Sequence, residues 1–175
     1  MRIGFISREY PWRKPYGGVG VVTANQARAL AEAGHQVTVI TISPGKSRTG
    51  KNICNVRVVG IPFSPFPCLP RRLATFSSVE TFAWSRTVLH ALAGENQRKC
   101  FDIIESPEMG GEGLAFQSQR KRPPVIVKIH GGTSLYLKNL EAYRWYHWPV
   151  YFRERKSLLR ADGIAAVSEQ ALRDC

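Results

Sequence analysis

The side chains and backbone groups able to do chemistry sit in a few short stretches beside glycines. The first spans residues 7–20, SREYPWRKPYGGVG, between an apolar run at 2–7 and a helical pattern that starts near Val19. Gly17, Gly18 and Gly20 allow positive φ and close approach of a ligand to the main chain. A helix start leaves amide N–H groups unpaired and carries partial positive charge. Together these suit a phosphate. Arg8, Arg13 and Lys14 add full charges nearby. The stretch is not a dinucleotide fingerprint: Thr23 stands where the third glycine would be, and no acid follows the second apolar run at 37–42. It is not a P-loop either, because no Gly-Lys-Ser/Thr follows. A plain βα turn with a glycine helix start is the competing reading.

His130 follows the apolar run 125–129 and precedes Gly131 and Gly132. An imidazole there could hydrogen-bond a sugar hydroxyl or contact a phosphate; a structural loop histidine is the alternative. Glu105 and Glu108 flank Ser106-Pro107. Carboxylates accept from sugar hydroxyls, and a pair can run acid–base chemistry; solvated or helix-dipole acids are the alternative. Segment 143–156 mixes six aromatics with cations. It reads as an interfacial helix on an anionic membrane, as a stacking platform for sugars or bases, or as core with snorkelling cations. Cys54, Cys68, Cys100 and Cys175 are scattered, without metal-ligand spacing, so reduced thiols and no metal site are expected.

The elements that would position these groups alternate. Strands are expected at 3–7, 37–42, 53–61, 101–105, 125–129 and 163–167, and helices at 19–33, 78–93 and 112–119. Val19, Thr23, Ala27 and Leu30 share one helix face. Gly34 and Gly94 read as helix C-caps. Residues 43–52 read as a polar loop, and 62–70 as a proline-rich crossing. A long helical region at 135–161 is expected to break near Pro149, and Ser168 to cap a last helix. The alternation predicts a doubly wound, mostly parallel three-layer α/β sheet. Ligands bind such sheets beyond the carboxyl ends of the strands. Four loops fall on that edge: 8–20, 106–111, 130–133 and Ser168.

With 175 residues the chain fits one domain, and its apolar fraction of 43% is that of a globular protein. No apolar run reaches transmembrane length, and the first residues lack a signal-peptide pattern. A cytoplasmic location is therefore expected, with peripheral attachment to the inner face of the cell membrane as its extension. The net charge of +12 suggests an anionic partner.

The order MRIGFIS, EYPW, GGVG, then GHQVTVIT, FDIIESPEMGGEG, VIVKIHGG and LLRADGIAAVSE resembles the N-terminal domain of GT-B glycosyltransferases similar to glycosyltransferase family 4. The resemblance spans almost the whole chain. It implies a Rossmann-like, acceptor-side domain and retaining transfer from a nucleotide-sugar, commonly without a metal. It implies that Gly17, Gly18 and Gly20 approach the donor diphosphate and that His130 is catalytic, beside the transferred sugar. Weaker contacts with acceptor or sugar are expected of Glu105, Glu108, Gly131, Gly132, Ser168, Arg13 and Lys14. The acceptor would be a glycan or a lipid-linked glycan, with an anionic membrane surface as a further partner and nucleic acid disfavoured. In that family a second domain carries the nucleotide pocket and a Glu-x7-Glu pattern. This sequence holds neither, so residues 1–175 alone are expected to be inactive. The rival reading is a non-enzymatic module binding anionic glycan, membrane or nucleic acid.

Overall fold

The computed structural model describes residues 1–11, 17–63, 78–98, 100–133 and 147–173. Seven strands form one sheet: β1 (Arg2–Ile6), β2 (Gln36–Ile42), β3 (Thr49–Ile53), β4 (Val56–Ile61), β5 (Ile103–Pro107), β6 (Val125–Ile129) and β7 (Gly163–Ala166). Among the described residues five α-helices accompany them: α1 (Gly18–Glu32), α2 (Ser78–Arg98), α3 (Leu114–Gln117), α4 (Trp148–Leu159) and α5 (Glu169–Arg173). The strand order is β3-β4-β2-β1-β5-β6-β7, and every pair is parallel except β3 with β4. The sheet grows one way from β1 to β2 and β4, then the other way through β5, β6 and β7. That reversal sets the topological switch point between β1 and β5.

Parallel strands buried on both faces read as continuous apolar runs, and their neighbouring side chains point to opposite sides. Phe5, Val39 and Val58 pack with Ala27 of α1 on one face. Ile6, Ile40 and Val59 pack with Trp84, Val88 and Leu92 of α2 on the other. The three-layer α/β/α arrangement follows directly from this alternation.

Four local expectations are corrected. Residues 43–52 are not all loop, because β3 pairs antiparallel with β4 through Cys54 and Asn55, at φ 48° and 63°. The polar TGKNI has no apolar alternation, since an edge strand needs only its backbone ladder. Gly94 does not cap α2, which runs on to Arg98. An interior glycine costs only about 1 kcal/mol, and buried Leu92 and Glu95 on either side hold the turn in place. β5 extends through Ser106 and Pro107. Pro149 starts α4 rather than breaking a helix, as suits a residue lacking an N–H in the first turn.

Two successive positive φ values are the signature of a tight hairpin turn that favours glycine second. Asn55→Gly should therefore raise stability by about 0.5–1 kcal/mol, and Asn55→Val should lower it by roughly 1–2 kcal/mol. Urea unfolding midpoints check both.

Candidate functional site

The loop after β1 is held by acids. Ser7 Oγ donates to the Glu9 carbonyl at 2.7 Å. The Arg8 N–H donates to Glu112 Oε2 at 3.1 Å. The Arg8 guanidinium is ion-paired with Glu80, so its charge is already answered inside the protein. The Gly17 N–H donates to Glu9 Oε2 at 2.7 Å. A Cβ on Gly17 would meet that oxygen at 2.8 Å, and one on Gly20 would meet the Glu9 carbonyl oxygen at 3.0 Å. Those two glycines are thus required by the close approach of Glu9 to the start of α1. Gly18 has nothing within 4 Å of a Cβ and faces open space. The amides of Gly18, Val19 and Gly20 lie in the first turn, where no intrahelical acceptor exists. Arg13 and Lys14 lie outside the described residues.

The second part of the edge is built from β5 and β6. Glu108 is 1% exposed. Its Oε1 accepts the N–H groups of His130, Gly131 and Gly132 at 2.6, 2.7 and 2.6 Å. Gly131 and Gly132, at φ 116° and 64°, turn successive amides toward the one oxygen. Burial pushes the Glu108 carboxyl above its ordinary value even though the amides pull it down. Buried Glu154 of α4 continues the pattern: its Oε1 accepts the Thr133 N–H at 2.8 Å and the Gly110 N–H at 2.7 Å. Loop 130–133, the turn after β5 and α4 are therefore one hydrogen-bonded unit. Burial, and next the charge of Lys128, lower the His130 pKa to about 4. Its imidazole is therefore neutral rather than cationic at pH 7.

Glu105 and Glu108 do not form an acid–base pair, nor are they solvated. Glu105 accepts from Lys128 Nζ at 3.1 Å and from Gln26 Nε2 at 2.8 Å, and Lys128 also donates to Gln26. The triad pins α1 to β5 and β6. Glu108 spends an oxygen on the backbone. Ser168 Oγ accepts the Ala171 N–H at 3.1 Å and caps α5. No group of three or more His, Cys, Asp or Glu is arranged to hold a metal among the described residues.

The loops carrying Gly18, Glu108, His130 and Ser168 all follow the carboxyl ends of parallel strands, β1, β5, β6 and β7. Loops β1 and β5 meet through Arg8 and Glu112, and loops β5 and β6 through Glu108. The positioning acids Glu9, Glu112 and Glu154 do not stand out as ligands in the sequence. One signal for Glu154 exists: it shares the α4 face of buried Val150 and Ser157, where an acid needs donors.

A doubly wound sheet with glycine-bearing loops at its switch-point edge defines a Rossmann-like α/β domain. The chain belongs to the glycosyl transferase 4-like domain family, whose model matches residues 17–175. Among solved structures it is similar to a sucrose-phosphate synthase from Thermosynechococcus elongatus, at 17% identity and TM-score 0.73, over 98% of this chain and 43% of that one. A second sucrose-phosphate synthase structure from the same organism matches at 15% identity and TM-score 0.59, over 97% of this chain and 78% of that chain. The chain thus spans less than half of the first synthase chain. No curated protein sequence matches it.

Glu112 sets a pH dependence. Desolvation raises its carboxyl from 4.5 to about 7, against the opposing pull of Arg8 and of Trp84 Nε1. Above pH 4.5 the unfolded chain releases a proton that the folded chain retains until about 7. Stability associated with this group is therefore full below 4.5 and is lost as pH rises through 7. Relative to Glu112→Gln, the wild type should lose about 1–3 kcal/mol between pH 5 and pH 8, read from denaturant unfolding. His130 acts in the opposite sense, with stability lost as pH falls from 6.5 toward 4. Gly20→Ala should be less stable than Gly18→Ala by roughly 1–3 kcal/mol, because only the former drives a methyl into the Glu9 backbone.

Proposed function

We propose that this chain is the acceptor-side domain of a retaining glycosyltransferase that moves a sugar from a nucleotide-sugar to a glycan or lipid-linked acceptor. A second α/β domain would hold the nucleotide. What supports the reading is the membership of the glycosyl transferase 4-like family together with one juxtaposition. Helix α1 opens its first-turn amides, and loop 130–133 carries a neutral imidazole, on the same edge of the sheet on either side of β5.

In this reaction the anomeric C–O bond to the diphosphate breaks. The acceptor hydroxyl forms the new glycosidic bond and gives up its proton, and the nucleoside diphosphate leaves with the bonding electrons. Negative charge builds on the departing phosphate oxygen. Donors preorganised where that charge develops lower the barrier. The amides of Gly18, Val19 and Gly20 meet that need, while the Gly17 amide is engaged by Glu9. His130 would hydrogen-bond the sugar in transfer. Gly131 and Gly132, with their amides on Glu108, would shape the wall behind it, and Ser168, Arg13 and Lys14 would be weaker contacts with acceptor or sugar. The reading uses no metal and no tightly held cofactor. It places the protein in the cytoplasm, with peripheral contact at the inner membrane face. No helix is long and apolar enough to cross a membrane among the described residues.

Residues 1–175 alone should not turn over, because a donor's base and ribose would have no pocket. Incubating the product of the whole coding sequence with a panel of labelled nucleotide-sugars tests the reading. Transfer is expected from that product and none from residues 1–175. His130→Ala should cost about 100-fold or more in kcat with an unchanged melting temperature. The pH profile should show no His130 ionisation between 5.5 and 8. Robust transfer by residues 1–175, or no transfer and no donor hydrolysis by the whole product, would overturn it.

A further inference from the structure

We propose that the outward face of α4 is a docking surface for an anionic lipid bilayer, an inference that rests on the lipid-linked acceptor reading above. Helix α4 has two faces of opposite use. Val150, Glu154 and Ser157 point inward and are buried. Glu154 is bonded to two backbone amides, and Ser157 Oγ donates to Gln117 Oε1 at 2.9 Å. The orientation of α4 about its axis is therefore fixed by polar contacts.

That orientation turns Trp148, Tyr151, Phe152, Arg155, Lys156 and Leu159 outward. Their spacing, i, i+3, i+4, i+7, i+8 and i+11, makes one continuous stripe along the helix. Trp148 is 55% exposed, Tyr151 40%, Phe152 46% and Leu159 76%. The three rings are a cluster rather than scattered residues, with centroids 5.1 to 6.0 Å apart. Arg153 of α4 faces α2, where its guanidinium lies 5.5 Å from the ring centroid of Phe82, itself 51% exposed. A solvent-facing helix ordinarily carries its charges outward and its aromatics inward; α4 presents aromatics to solvent and buries its acid.

The charges on the stripe select the partner. Arg155, Lys156 and the adjoining Arg160 are exposed, while the α4 acid, Glu154, lies on the buried face. Aromatic rings favour the headgroup level of a bilayer, and cations beside them attract anionic lipid. A helix lying in the plane of an interface has this combination, apolar bulk with Arg and Lys beside it. The whole-chain charge of +12 adds long-range attraction of the same sign. Docking through α4 would hold the carboxyl edge of β6 near the lipid surface, since Glu154 ties α4 directly to Thr133.

Flotation of the chain with vesicles of phosphatidylcholine plus phosphatidylglycerol, against vesicles of phosphatidylcholine alone, tests the surface. The chain should float with the anionic vesicles only, and should be released at about 1 M salt, where the Debye length is roughly 3 Å. The double variants Trp148→Ala/Phe152→Ala and Arg155→Glu/Lys156→Glu should each lower the vesicle partition coefficient about tenfold or more. Their melting temperatures should stay unchanged, because these side chains face away from the core. Equal binding to neutral vesicles would overturn the proposal, as would no vesicle binding. Wild-type affinity in both double variants would also overturn it. Self-association or nucleic-acid retention abolished by the same variants, without flotation, would assign the stripe to another class of partner. Flotation needs no sugar transfer, so a failed turnover assay leaves this result standing. Failed flotation leaves transfer to soluble acceptors open to assay.

Discussion

One oxygen of Glu108 accepts three consecutive backbone N–H groups, and the geometry of the sheet's functional edge depends on that contact. Loops at the carboxyl ends of parallel strands have left the ladder, yet here the amides of Gly110, Gly132 and Thr133 remain buried. Each buried amide without an acceptor costs roughly 1–3 kcal/mol. The chain answers with carboxylates. Glu108 serves loop 130–133, Glu154 serves Thr133 and Gly110, Glu112 serves Arg8, and Glu9 serves Gly17. Charge-assisted bonds of this kind are about twice as strong as neutral ones. Desolvation still wins at Glu108 and Glu112, whose carboxyls sit above their ordinary range. The acids are therefore kept in place by the packing around them: Trp84 behind Glu112, and α4 over the turn after β5.

This division of labour separates groups that build the edge from groups left free of it. The positive-φ glycines Gly110, Gly111, Gly131 and Gly132 aim amides or admit close neighbours, such as the Arg153 carbonyl 3.0 Å from a Cβ on Gly111. Gly17 and Gly20 make room for Glu9. Gly18 alone of the GGVG glycines faces open space, and His130 is held by its backbone, with no hydrogen bond to its ring among the described residues.

The fold was legible because periodicity reports burial directly. The continuous run VTVITI reads as a strand covered on both faces, VIVKI buries its alternate residues Val125, Val127 and Ile129, and Val19, Thr23 and Ala27 mark the packed side of α1. β3 was not legible, since TGKNI buries almost nothing and is defined by hydrogen bonds that leave no trace in residue type. The extent of α2 past Gly94 was likewise decided by tertiary packing over propensity. Within the site, the loops were legible from glycines at strand ends, but the acids were not. Glu112 looks like a helix-dipole acid and Glu154 like one charge in a basic segment. Only the chain path shows that each meets an amide far away in sequence, as Glu154 does with Gly110. Arg8, which reads as a free cation beside the glycines, is matched with Glu80 across a still longer distance in sequence.

Glu108 holds the His130 loop through three amides. Hydrogen exchange read residue by residue, comparing the wild type with Glu108→Ala, is the direct measurement. Slow exchange is expected at the amides of His130, Gly131 and Gly132 in the wild type. In the variant these three should exchange at close to solvent rates, while the Ile104 and Val127 strand amides remain protected. Equal protection of the three loop amides in both proteins, with those strand amides also unchanged, would contradict it.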